Sequence, residues 1–187
     1  TQSNIAKKAE QFEEAVAAAL YECGYPDEPA EEQLLNIYSY VSQNVSYNGE
    51  LSTAYDAAVQ KEGSSSAYEG MFRYLVQQAG FSASRVYGVA HDSTHFITQV
   101  ELDGELYYFD PCAENSFSGG KGLSYFAMDT LGLQKMGLGE GTCYSDNEPI
   151  SFDSSSGRFS KLYRTVSYEY KDGVITATTK SEEVVQV

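Results

Sequence analysis

The chain has 187 residues, 42% of them hydrophobic, enough to bury a sizeable core within one domain spanning residues 1–187. It carries 12 Lys and Arg against 27 Asp and Glu, a net charge of −15. Such a surface repels DNA and RNA, and no basic stripe with interleaved aromatics compensates, so nucleic-acid binding is not expected. No run has the apolar length of a membrane span, and no signal-peptide pattern is present. Thr1 at the start and the acidic balance suit a processed or trimmed chain working outside a cell.

Residues 4–20 place Ile5, Ala9, Phe12, Val16 and Leu20 at helical spacing, with Ser3 as the expected cap and Gly24 as the stop. A second helix is expected after Asp27, with Pro29 in its first turn and Glu31 and Glu32 near the positive end of its dipole. Leu34, Leu35, Ile37, Tyr38, Val41 and Val45 form its buried stripe, and Tyr47-Asn48-Gly49 ends it. A short helix over residues 53–60 leads to Gly63. Residues 66–79 are helical again through Met71, Phe72, Leu75 and Val76, with Gly80 as the terminator. Ser66-x-x-Glu69 matches a capping box at its start.

The period then changes to two. Residues 85–90, 95–102 and 105–110 read as strands, the last two joined by the tight turn Asp103-Gly104. Residues 116–122 read as a Gly/Ser loop, and 123–150 as an irregular segment with four glycines between Gly132 and Gly141. Residues 161–170 and 174–179 form a second hairpin about Asp172-Gly173. Helices first and antiparallel strands later predict an α+β fold, with N-terminal helices packed on an antiparallel sheet.

Cys23, Cys112 and Cys143 contain no CxxC pair, which argues against a zinc knuckle or a thioredoxin motif. Two readings stand: a Cys112–Cys143 bridge around the Gly-rich loop, or three buried free thiols. His91-Asp92-Ser93-Thr94-His95 has the outline of a zinc-protease helix. Asp replaces the Glu, however, and the segment joins strands, so the two rings would not share a helix face and no metal is expected.

Ser65 opens an apolar helix, His95 begins a strand, and Asp110 closes that strand's hairpin partner. Thiol catalysis requires a nucleophile made acidic, a proton acceptor, and a group that holds the acceptor's tautomer. A helix N-terminus can lower a thiol pKa from about 8.5 into the range of roughly 3.5–7.5, and its free amides can hold an oxyanion. His95 and Asp110 fill the other two roles if the Asp103-Gly104 turn brings their strands together.

These residues resemble the core of the transglutaminase-like superfamily, which is related to papain-like cysteine proteases. Residues 38–47, ending Asn44-Val45-Ser46-Tyr47, resemble its helix with an Asn-Val-x-Tyr end. Gly63-x-Ser65-x-x-Tyr68 resembles its Gly-x-Cys-x-x-Tyr nucleophile turn, followed by Phe72, Leu75 and Gly80-Phe81. Val86-Tyr87-Gly88, then His95, then Tyr107-Tyr108-Phe109-Asp110-Pro111 resemble its later strands. The resemblance covers residues 37–110.

It implies a papain/transglutaminase-core-like fold in a secreted or cell-surface bacterial protein. The implied activity is acyl transfer or peptide hydrolysis on protein or peptide substrates, without a cofactor. The implied catalytic set is Ser65, His95 and Asp110. Two departures matter: Ser65 stands in the Cys position, and Phe96 follows the histidine where a small residue and then Trp are usual. The chain has no Trp, so Tyr47 is the substitute for an indole oxyanion donor and the candidate substrate-binding residue. With Ser at position 65 the domain is expected to be weak or inert as a catalyst. The alternative is a pseudoenzyme that keeps the cleft to bind peptide or cell wall.

Overall fold

Apolar residues at three- and four-residue spacing fold the N-terminal half into three long helices: α1 (Gln2–Glu22), α2 (Ala30–Asn44) and α3 (Ser65–Gln78). The computed structural model describes residues 1–138, 142–151 and 156–187, and the fold is α+β. The N-cap of α1 is Thr1 and not Ser3, and its side chain makes no capping bond. Pro29 is the N-cap of α2, with Glu31 and Glu32 in the first turn as the dipole argument requires. The helix ends at Asn44, before the Tyr47 turn, because Val45 is already extended.

A pair of two-residue strands then fixes the approach to α3. β1 (Ser46–Tyr47) lies parallel to β2 (Glu62–Gly63), so the chain leaving α2 is tied to the chain entering α3. Residues Asp56–Gln60 between them form a π-helical turn.

The main sheet has strand order β5-β4-β3-β6-β7: β3 (Ala83–Ala90), β4 (Ser93–Leu102), β5 (Glu105–Phe109), β6 (Cys143–Ser145) and β7 (Glu148–Ile150), paired antiparallel throughout. A second antiparallel sheet, β10-β9-β8, combines β8 (Thr165–Lys171), β9 (Val174–Thr179) and β10 (Val184–Gln186). Both expected hairpins are present, with Asp103 and Asp172 at positive φ ahead of Gly104 and Gly173.

α3 packs against β3 and β4 on one side and α2 on the other. Tyr38, Phe72, Phe109 and Phe126 are fully buried between helices and sheet, largely in edge-to-face contacts. The opposite sheet face carries a smaller cluster of Val86, Ile97, Tyr108, Leu133, Leu138 and Cys143.

Two expectations are corrected here. Residues 116–118 of the expected 116–122 loop belong to a helix, α4 (Pro111–Ser118), capped by the Asp110 carboxylate, with Pro111 in its first turn; only 119–122 lie beyond it. The segment 123–150 is not uniformly irregular. Backbone bonds join Tyr108 to Met128, α5 (Thr130–Lys135) follows, and β6 and β7 extend the sheet. Of the glycines used for the irregular reading, Gly139 and Gly141 lie outside the described residues.

The cysteines resolve in favour of three buried free thiols. Cys112 sits in α4 against the helical core, and Cys143 packs on the other sheet face, so no Cys112–Cys143 bridge forms. No helix among the described residues is long and apolar enough to cross a membrane.

Candidate active site

The hairpin puts His95 and Asp110 in contact. β4 and β5 pair Thr98 with Phe109, so Asp110, the next residue, falls opposite Ile97. His95 is two residues from Ile97 on the same face, which makes His95 and Asp110 diagonal cross-strand neighbours. The ring Nε2 lies 2.5 Å from Asp110 Oδ2. Asp110 is fully buried, and the His95 side chain keeps 21% of its surface exposed.

The carboxylate is anchored from its far side. The Ala113 N–H donates to Asp110 Oδ1 at 2.9 Å, so one oxygen caps α4 while the other holds the imidazole. The backbone of Asp110 is also held, its N–H donating to the Tyr125 carbonyl and its carbonyl accepting from Tyr38 Oη. Beneath it Glu114 is fully buried. Its Oε1 accepts from Tyr38 Oη and the Tyr125 N–H, and its Oε2 from Ser118 Oγ. Burial outweighs these bonds and holds the Glu114 carboxyl above the usual carboxylate range.

Burial alone would lower the His95 pKa, but the Asp110 charge and hydrogen bond prevail and raise it above its ordinary value. With Nε2 committed to Asp110, Nδ1 is the nitrogen left for a reacting group.

Ser65 is the first residue of α3 and half-buried, with Ser64 as the N-cap. The turn ahead of it is held by backbone bonds: Asn48 N–H to the Gly63 carbonyl, and Ser64 N–H to the Leu51 carbonyl. One helical turn on, the buried Tyr68 hydroxyl donates to the Val45 carbonyl, and burial, with help from the Asp110 charge, raises its pKa. α3 also packs against α4, the helix that Asp110 caps. No hydrogen bond joins Ser65 Oγ to His95 among the described residues. By strand alternation His95 lies on the face opposite Thr98, which points toward α3. Any meeting of residues 65 and 95 is at the end of the sheet, where β5 has stopped and Ser93–Ile97 pairs only with β3.

The expected capping box does not form. Ser66 Oγ donates to the Ser52 carbonyl and accepts from Arg85 Nη2. Glu69 is fully buried and turns toward Arg73, Arg85 and Thr98 instead of back to the helix start. Tyr47 is 64% exposed, and its hydroxyl rests beside Gly49, folded over its own turn. His91 and Asp92 form the positive-φ tip of the β3–β4 hairpin, and no group of three metal-ligating side chains occurs among the described residues.

Asp110 as a helix cap was legible from Asp-Pro, the N-cap and N1 signature. Glu69, Arg85 and Glu114 gave no such signal, because a charged residue's burial is set by packing distant in sequence.

No family model matches the chain, and no curated protein matches it. Similar solved structures include a TGase, with 12% identity and a TM-score of 0.48 over 60% of this chain and 33% of that one. Another is a candidate cysteine protease from Cytophaga hutchinsonii, with 14% identity and a TM-score of 0.47 over 76% of this chain and 53% of that one. This chain thus spans about a third and about half the length of those two.

Proposed function

We propose that this is a transglutaminase-like domain of the thiol acyl-transfer or peptidase type, acting on protein or peptide substrates, in which Ser65 holds the nucleophile position. The observation that carries the proposal is the buried Asp110 carboxylate 2.5 Å from His95 Nε2. It stands behind an imidazole that retains one free nitrogen and a partly open face. Ser65 at the first position of α3 supplies the third member.

With a thiol at position 65, the sulfur attacks the carbonyl carbon of a peptide or glutamine carboxamide, and the carbonyl electron pair moves to oxygen. Free amides at the start of α3 hold that charge. Collapse expels the amine, which leaves with the His95 proton, and water then releases the acid. A His95 pKa held high suits the imidazolium half of a thiolate–imidazolium pair. Serine chemistry is handicapped for a different reason: a hydroxyl is barely ionised near neutral pH and needs a base within hydrogen-bond reach, and among the described residues no hydrogen bond joins Ser65 Oγ to His95. The chain with Ser65 is therefore weak or inert as a hydrolase.

The test is Ser65→Cys, assayed for peptide cleavage and for ammonia release from glutamine-containing casein. Thiol-dependent turnover that disappears in Ser65→Cys/His95→Asn supports the proposal, and no turnover with any such substrate opposes it. Ser65 itself favours a second reading, a peptide- or cell-wall-binding domain without catalysis. Saturable peptide binding that does not change on introducing Cys would favour it. Labelling of Ser65 by a fluorophosphonate would instead indicate a serine hydrolase.

A further inference from the structure

Arg85 touches the immediate neighbour of each of two proposed catalytic positions. On the α3 side its Nη2 donates to Ser66 Oγ, next to Ser65. On the β4 side its guanidinium lies 4.1 Å from the ring centroid of Phe96, next to His95. Its Nε faces Glu69 Oε2 at 3.4 Å, and Glu69 is fully buried on α3, one turn after Ser65. Glu69 in turn accepts from Arg73 Nε at 2.7 Å. Burial holds the Glu69 carboxyl above the usual carboxylate range in spite of both guanidiniums. Arg85 Nε and Glu69 Oε2 are buried without a well-formed hydrogen bond, so this contact is held by packing and charge.

We infer that Arg85 is a positioning residue, a clamp that sets the separation between the nucleophile turn of α3 and the base-bearing strand β4. The inference rests on the function proposed above. The geometry demands a planar, forked cation. Its nitrogens must reach Ser66 and Glu69 while its central carbon sits over the Phe96 ring, and an ammonium cannot do both. Charge alone does not specify this arrangement: Glu69 is shared with Arg73, and Arg85 also lines an open groove with Tyr87, Thr94, Phe96, Asp146 and Asn147. Phe96, which departs from the small residue usual after the histidine, is on this account the platform on which Arg85 rests.

The test uses the full chain carrying Ser65→Cys and follows iodoacetamide alkylation of that thiol against pH. Arg85→Lys and Arg85→Gln are both expected to shift the acid limb upward, slowing alkylation near pH 6 about tenfold. Ser66→Ala, which spares the Arg85–Glu69 contact, shifts it less in the same direction. If Arg85→Lys matches the parent, only charge matters and the clamp is overturned. His95→Asn is the control for the underlying reading. If it slows alkylation while no Arg85 variant does, the function survives and the clamp fails.

A second measurement keeps the clamp testable should the thiol prove unactivated. In Ser65→Cys/His95→Cys, the rate of disulfide formation between positions 65 and 95 is expected to drop about tenfold on adding Arg85→Lys. An unchanged rate overturns the clamp. No bridge even with Arg85 present overturns both the clamp and the reading beneath it.

Discussion

Asp110 divides its carboxylate between two tasks, one oxygen receiving the Ala113 N–H at the start of α4 and the other 2.5 Å from His95 Nε2. The imidazole is thus tied to a helix start and not to a single strand end. A carboxylate that caps a helix cannot rotate to follow its partner, so the ring orientation is inherited from the fold.

Removing that charge has a signed consequence with pH. The folded His95 pKa lies above its unfolded value, so its contribution to stability is complete below about pH 6.5 and is lost as pH rises through the folded value. Asp110→Asn leaves burial alone to act, which pushes the His95 pKa below its ordinary value. The cost of Asp110→Asn is therefore expected to exceed its cost at about pH 9 by about 1–3 kcal/mol when measured at about pH 5.5. Urea unfolding at the two pH values checks this; an equal cost at both contradicts it.

Glu114 is the hub beneath the site. Glu114→Ala would orphan the Tyr125 N–H and leave the Tyr38 hydroxyl only its longer bond to the Asp110 carbonyl, at 3.4 Å. The expected cost is about 1–3 kcal/mol for the orphaned buried group, whereas Glu114→Gln keeps an acceptor and should cost less. Denaturant midpoints for the two variants decide it.

The three native thiols should be poor nucleophiles. Burial, with help from Glu22, pushes the Cys23 thiol up to about 12, and burial with Asp110 raises Cys112 well above its ordinary value. Folded protein should therefore resist a colorimetric disulfide reagent, and unfolded protein should release three equivalents. Rapid labelling of folded protein, or only one reactive thiol after unfolding without reductant, contradicts this. Silent native thiols also make a cysteine placed at position 65 readable on its own.

Gly120 is a conformational and steric requirement. Its φ is +80°, and a Cβ there would stand 2.5 Å from the backbone carbonyl of Ser42 in α2. Gly120→Ala is expected to cost about 2 kcal/mol or more through strain and overpacking. Gly104→Ala at the open tip of the β4–β5 hairpin has the same φ and meets no atom, so it should cost less. Thermal unfolding of the pair separates the two effects.

What the sequence discloses follows from how local its cause is. The Asp103-Gly104 and Asp172-Gly173 hairpins depend on two residues taking positive φ, and the α2 stripe on spacing within one helix, so both are legible. The β4–β5 register follows from that turn, and with it the approach of Asp110 to His95. β6 and β7 are three residues each and exist only because β3 offers an edge, so nothing local announces them. Glu69 four residues before Arg73 has the pattern of a solvent pair, and Ser66-x-x-Glu69 that of a cap. Burial of Glu69 beneath Arg85 and Thr98 decides against both, and that burial comes from β3 and β4.

The central claim is that residue 65 faces the free nitrogen of an imidazole that Asp110 holds. Proton NMR titration of His95 in the chain with Ser65 and in Ser65→Cys tests it most directly. A thiolate at position 65 should stabilise the imidazolium and raise the His95 midpoint by about one pH unit or more. Superimposable curves would mean that the two side chains do not meet, and would contradict the account.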